Sequence, residues 1–450
     1  MTLRLILVAM VALAAMSHGG PARAQAKIHL SGIEVTSRFP EGILFTLSVA
    51  GSQDITSITL RYQVIGERAS RYDRLEFQQS PSVTAEFLVR TDTADRYIPP
   101  GAEIEYRVEI ENSSGTRLET EPQRFVLLDP RFTWRRLDGD GGSILYHGDQ
   151  LDLAQRVLQT ALDTTRDMGA LMGVTADGPL RITLYDNWTE MRKALPPRSQ
   201  VQEASLVTEG VSFGATGVIL VLGSVTDVEG VTAHETAHFL MQQAMGGLSR
   251  LVPAWLNEGL AEYANPYPSS SYIRALERAI RDGRLLPLSS LTRPPGRPED
   301  VILFYGEAES AVTYLVDEYG PLPLQSLLQQ LREGAPIDDA LMAAYRLDRD
   351  RLEARWRQSI GAPPPEAVTT ARSLPTRIPR PTLVPFGAEQ TPASVPSADP
   401  EPVETESAGG CGRATGARSP MDLAGIVTTL GLAALVGLWR ASRRGRGDGE

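Results

Sequence analysis

The residues best equipped for chemistry are His234-Glu235-Thr236-Ala237-His238. On a helix, side chains four apart lie one turn along the axis and about 40° around it. Both imidazoles would then reach one metal ion, and Glu235 beside them could take a proton from a water at that ion. The chain has five histidines in 450 residues: His18, His29, His147, His234 and His238. With so few, two at this spacing around a glutamate are not what composition delivers by chance. No histidine follows His238, and the residue six places on is Ala244. The third ligand is therefore a carboxylate, or comes from His147 or His29 upstream. The single cysteine, Cys411, lies outside the region expected to fold, which excludes a thiolate ligand and an intrachain disulfide.

A carboxylate stands a short loop later, in Pro253-Ala254-Trp255-Leu256-Asn257-Glu258-Gly259-Leu260-Ala261-Glu262-Tyr263. Pro253 suits a helix start. The H-E-x-x-H pattern followed by W-L-N-E-G-L-A resembles the gluzincins, the peptidase MA-like superfamily that includes thermolysin and the aminopeptidase N family. The resemblance covers roughly residues 145–360. It implies an α+β, thermolysin-like zinc peptidase domain with His234, His238 and Glu258 as zinc ligands. The spacing to Glu258 is one residue longer than is usual in the aminopeptidases.

The same resemblance implies that Glu235 is the general base acting on zinc-activated water. Glu262, one turn after Glu258 on the same face, would orient a zinc-bound imidazole. Tyr305, in Phe304-Tyr305-Gly306-Glu307-Ala308 at the opening of a later helix, would donate to the oxyanion, with Tyr263 and Tyr314 as competing phenols. The substrate would be a peptide or protein and the cofactor Zn2+. Related aminopeptidases hold the free amine with an acidic residue in the stretch corresponding to Gly210–Gly217, which has none here. An endopeptidase is expected rather than an aminopeptidase. The alternative is an inactive relative serving as a surface binding or adhesion protein.

These residues need a scaffold. Thr226 and Glu229 fit a capping box at the start of the first helix, and Gly246-Gly247 stop it. The apolar run Gly217–Leu222 reads as a strand that could pair with an extended peptide. Leu151–Leu171 reads as an amphipathic helix and Leu180–Tyr185 as another strand. Residues 130–361 thus form the peptidase-like domain. Residues 25–129 are all-β, with period-two alternation in Ile43–Val49, in Ile58, Leu60, Tyr62 and Val64, and in Ile104, Tyr106, Val108 and Ile110. About seven short strands fit an immunoglobulin or fibronectin III-like sandwich, expected to act as a spacer or docking module.

The ends read as address signals. Residues 1–24 form a signal peptide ending in Ala22-Arg23-Ala24. Residues 362–420, rich in Pro, Ser, Thr and Glu, form a disordered stalk. Residues 421–439 form a transmembrane helix, and Arg440, Arg443, Arg444 and Arg446 mark 440–450 as a basic cytoplasmic tail. Gly409-Gly410-Cys411-Gly412 with that helix and tail also resembles bacterial sorting signals, in which the helix is later removed. The expectation is export, with the catalytic domain outside and the membrane as a partner through the C-terminal helix. A net charge of −11 argues against nucleic acid as a partner.

Overall fold

The computed structural model describes residues 27–364, apart from 177, 179, 198–207 and 296. The expected signal peptide, most of the stalk, the 421–439 helix and the basic tail lie outside the described residues. Among the described residues no helix is long and apolar enough to cross a membrane.

Alternating apolar residues fold the N-terminal part into β1 (Ile28–Arg38), β2 (Gly42–Val64), β3 (Arg71–Arg74), β4 (Ser80–Arg90), β5 (Glu103–Asn112), β6 (Arg117–Glu119) and β7 (Gln123–Val126). The alternations at 43–49 and 58–64 suggest two strands; they belong to one, β2. Its first half pairs antiparallel with β1 and β4, its second half with β3 and β5. The register slips between Ala50 and Ile55, where Gly51-Ser52-Gln53-Asp54 carries no large apolar side chain to hold it. The strand there changes partners. Ile43, Phe45, Leu47 and Val49 from one half and Ile58, Leu60, Tyr62 and Val64 from the other are buried in one core.

A second sheet follows: β8 (Arg135–Gly139), β9 (Gly142–Tyr146), β10 (Leu180–Tyr185), β11 (Gly210–Phe213) and β12 (Val218–Leu222), in the order β11-β12-β10-β9-β8. β9, β10 and β12 run parallel, and β11 and β8 close the edges antiparallel. The crossover from β9 to β10 is α1 (Leu151–Met172), whose Ala154, Val157, Leu158, Ala161, Met168 and Met172 form one buried stripe. A short α2 (Trp188–Met191) follows β10. After β12 the chain is helical: α3 (Val228–Ala244), α4 (Ala254–Ala264), α5 (Ser270–Asp282), α6 (Pro298–Tyr319), α7 (Pro321–Arg332), α8 (Ile337–Tyr345) and α9 (Arg349–Ser359).

The N-terminal β unit, expected as a two-sheet sandwich, has its seven strands joined in one sheet through β2 and β5. This sandwich-like unit is not held off from the domain that follows, as a spacer would be. Val211, Val218, Leu220, Leu222 and Tyr185 belong to the same apolar core as the sandwich residues. The opposite face of the second sheet (Ile182, Leu184, Ile219, Val221) packs in the helical core. All five β12 residues are buried, because the strand has layers on both faces and neighbours on both edges. That corrects the expectation for Gly217–Leu222: β12 has no free edge for a peptide. The edge strand on that side of the sheet is β11.

Candidate metal centre

α3 is buried along most of its length, including His234, Glu235 and His238. Its start is capped by Asp227, whose carboxylate accepts from the Gly230 N–H at 3.1 Å, rather than by the expected Thr226–Glu229 box. It ends at Ala244, just before Gly246 and Gly247, both at positive φ. α4 starts after Pro253, and the N–H groups of Ala254 and Trp255 donate to the carbonyls of Thr292 and Leu291. Trp255, Leu256, Leu260 and Ala261 anchor it in the core. Glu258 and Glu262, one turn apart, both reach α3.

The three expected ligands converge. The Nε2 atoms of His234 and His238 are 3.1 Å apart, and Oε2 of Glu258 lies 3.7 and 3.5 Å from them. A tetrahedral ion with bonds of about 2.0–2.1 Å sets its donors roughly 3.4 Å apart. The spacing therefore fits zinc. Oε2 of Glu258 is buried without a hydrogen-bond partner among the described residues, as a ligand atom would be. All three residues are buried, and no other His, Cys, Asp and Glu cluster of this kind occurs among the described residues. His147 is elsewhere, stacked on Phe132 and 3.2 Å from Glu190, and His29 lies on β1.

The remaining groups stand around this trio. Nδ1 of His234 lies 3.1 Å from Oε1 of Glu262, within hydrogen-bonding distance though off the ideal angle. Without a metal, burial works against a charge on His234. The bond to Glu262 and the charges of Glu262, Glu235 and Glu258 outweigh it and push its pKa up to about 9. Glu262 is 1% exposed, and the amide of Asn265 donates to its other oxygen at 3.4 Å.

Burial, chiefly, raises the pKa of Glu235, against the nearby imidazoles and the Ser212 N–H, which lower it. Burial also works to raise Glu258, but His238 and His234 bring it below the usual carboxylate range. Gly210 of β11 lies against Glu235: a Cβ there would sit 2.7 Å from its Cγ. Any side chain there would force the strand or the Glu235 and Val231 side chains to shift.

Tyr305 is not at a helix opening. α6 starts at Pro298, and Tyr305 lies inside it, 4% exposed. Burial first, then the charge of Glu258, raises its pKa well above the ordinary phenol value. Of the competitors, Tyr314 faces Tyr319, with their hydroxyls 3.4 Å apart, and Tyr263 is partly buried against the helical core. The sequence reading missed Tyr272 on α5, 6% exposed and stacked on Tyr305. No spacing rule ties a residue on one helix to a ring on the next; the only local signal was Gly306 beside Tyr305.

Residues 160–362 match the model of the Peptidase MA superfamily. No curated protein sequence matches the chain. Among solved structures, an M1 zinc metallopeptidase from Deinococcus radiodurans is similar at 13% identity, over 75% of this chain and 92% of that one, with a TM-score of 0.31. A mutant of an M1 zinc metallopeptidase from Deinococcus radiodurans, bound to a Tyr-Ser-Ala substrate, matches at 14% identity over 74% and 92%, with a TM-score of 0.32. A carbohydrate-binding module of family 56, a β-1,3-glucan binding domain, matches at 20% identity over 22% of this chain and 98% of its own, with a TM-score of 0.14. Scores this low carry no functional argument.

Proposed function

We propose, from the premise that residues 160–362 form a zinc metallopeptidase domain of the Peptidase MA superfamily, that the chain cleaves internal peptide bonds of extended substrates outside the cell. The observation that carries this reading is the convergence of His234, His238 and Glu258 on one point, with the carboxylate of Glu235 buried beside them. These three residues would hold a zinc ion, which would supply the Lewis acidity needed to activate a water and polarise the scissile carbonyl.

The side chains do the rest. Glu235 takes the proton of the attacking water and hands it to the leaving amine; its raised pKa suits a group that must hold a proton between the two steps. Glu262 holds the proton on Nδ1 of His234, leaving the Nε2 lone pair to the metal. Tyr305 donates to the oxyanion as charge develops there. The substrate adds as a strand to the edge of β11 that no strand among the described residues pairs, which Gly210 brings against Glu235.

Endopeptidase action is favoured because β11 and the turn after it, Gly210–Gly217, carry no acidic side chain to hold a free amine. Export by residues 1–24 and tethering by 421–439 rest on the apolar runs, the Ala22-Arg23-Ala24 site and the arginines that follow the second run.

The test is cleavage of a mixed peptide library by the purified protein, with Glu235→Gln as control. Internal cleavage is expected, lost in Glu235→Gln although that variant keeps its zinc. A fully active Glu235→Gln would remove Glu235 from the mechanism, and release of single N-terminal residues alone would overturn the endopeptidase reading.

A further inference from the structure

Tyr272 and Tyr305 come from different helices and meet face to face, with ring centroids 5.3 Å apart and planes 19° from parallel. Phe304 touches the Tyr305 ring at an edge, with centroids 5.3 Å apart and planes at 69°. The Tyr305 ring is therefore held by its own chain neighbour and by a ring from α5. Such contact needs the two helices close. Gly306 allows it: a Cβ at this position would lie 2.7 Å from the carbonyl oxygen of Tyr272. The cap of α5 helps fix where that carbonyl stands, since Ser269 accepts from the Ser271 N–H and its carbonyl from the Tyr272 N–H.

Tyr272 stands close enough to the metal centre to feel it. Burial raises its phenol pKa, and Glu262, Glu209 and Glu258 raise it further. Neither the zinc ligands nor the general base uses this residue. A buried tyrosine elsewhere in the core would be unremarked, but this one packs flat against the single phenol on which oxyanion stabilisation depends.

We propose that Tyr272 is a positioning residue: its ring, not its hydroxyl, fixes the Tyr305 ring so that the Tyr305 hydroxyl points to the developing oxyanion. An oxyanion donor works only when held in place before charge appears. A displacement of about 1 Å in a reacting constellation is enough to lower the rate by about 10². Stacked aromatic pairs add stabilisation beyond their burial, which favours one orientation of a buried ring. The inference rests on the reading of Tyr305 as the donor.

The experiment is peptide cleavage by full-length protein carrying Tyr305→Phe, Tyr272→Phe, Tyr272→Leu, and Tyr272→Leu with Tyr305→Phe, each checked for zinc content and thermal unfolding. Tyr305→Phe is expected to lower kcat by about 10²–10³. Tyr272→Phe keeps the ring and should stay within about threefold of the parent, whereas Tyr272→Leu should lower kcat by about 10–100-fold with KM nearly unchanged. In the Tyr305→Phe background the leucine change should have almost no further effect, because the two residues act as one unit.

If Tyr272→Leu unfolds or loses zinc, Tyr272→Met, longer and more adaptable than leucine but without a flat ring, takes its place. An unchanged kcat in Tyr305→Phe would remove the donor and the inference together. An impaired Tyr305→Phe with a silent or fully additive Tyr272→Leu would overturn the positioning role alone. Tyr272→Phe as damaging as Tyr305→Phe would overturn it too, by moving the function to the Tyr272 hydroxyl.

Discussion

The two faces of the five-stranded sheet are held by different physics. Toward the helices, β10 and β12 present Leu180, Ile182, Leu184, Ile219 and Val221, all buried and apolar. Toward the sandwich, β12 again presents apolar residues, Val218, Leu220 and Leu222, but β10 presents Arg181, Thr183 and Tyr185. Each of these finds a polar partner. Arg181 pairs with Glu103 at 2.7 Å, Thr183 donates to the Pro100 carbonyl at 2.8 Å, and the Tyr185 hydroxyl donates to Asp129 at 3.1 Å.

Apolar burial has no direction, whereas hydrogen bonds and ion pairs fix angle and register. The helical face therefore supplies stability, and the sandwich face supplies stability plus one docking orientation. That orientation matters for chemistry, because β11 lies between the two: Val211 packs with the sandwich while Gly210 touches Glu235.

The largest effect should come from removing the sandwich. A chain lacking residues 27–129 would expose Val211, Val218, Leu220 and Leu222, each contributing about 1.5–3 kcal/mol when buried. Insoluble or unfolded protein is expected; a soluble, cooperatively melting, active fragment would show that the sandwich is dispensable. On the helical face, Ile182→Ala should lower stability by about 2–5 kcal/mol in denaturant unfolding, through the cavity it leaves.

Across the sheet, Arg181→Met should cost less, about 1–3 kcal/mol, because the partly buried Glu103 then keeps only its longer contact, 3.4 Å, to the exposed Arg124. Adding Glu103→Gln should recover part of that loss, and a purely additive pair would mean that the ion pair gives no orientation.

The smallest effect is a pH slope. Unlike Glu103, Glu307 in the helical part has, among the described residues, no ion pair and one oxygen without a hydrogen-bond partner. Burial raises its pKa from 4.5 to about 8, against the Leu286 N–H and Arg357. The folded protein thus keeps this proton while the unfolded chain loses it. The associated stability is fully present below about pH 4.5 and is lost as pH rises through about 8. Glu307→Gln should flatten that decline, seen as a smaller fall in Tm between pH 5 and pH 9; identical slopes would assign the decline to other groups.

The metal centre was more legible than the scaffold, for a physical reason. His234, Glu235 and His238 lie on one helix, and Glu258 and Glu262 on the next, so the constant pitch of a helix turns spacing into geometry. The edge strand was misplaced although the sequence held the clue. Val218-Ile219-Leu220-Val221-Leu222 has no polar residue to face solvent, as befits a strand covered on both sides, whereas Gly210–Phe213 is short and mixed. The bend in β2 and the Tyr272–Tyr305 stack depend on tertiary packing, which no local period records. The docked sandwich was half visible: Arg181 and Thr183 alternate with apolar residues as if facing water, and their partners lie far off in sequence at Glu103 and Pro100.

The central claim is that His234, His238 and Glu258 hold one zinc ion, and metal analysis of the purified protein beside Glu258→Ala tests it most directly. One zinc per chain is expected in the parent, with its affinity sharply reduced in the variant while the fold survives. A parent that binds no zinc, or a Glu258→Ala protein that holds it as tightly as the parent, would contradict the account.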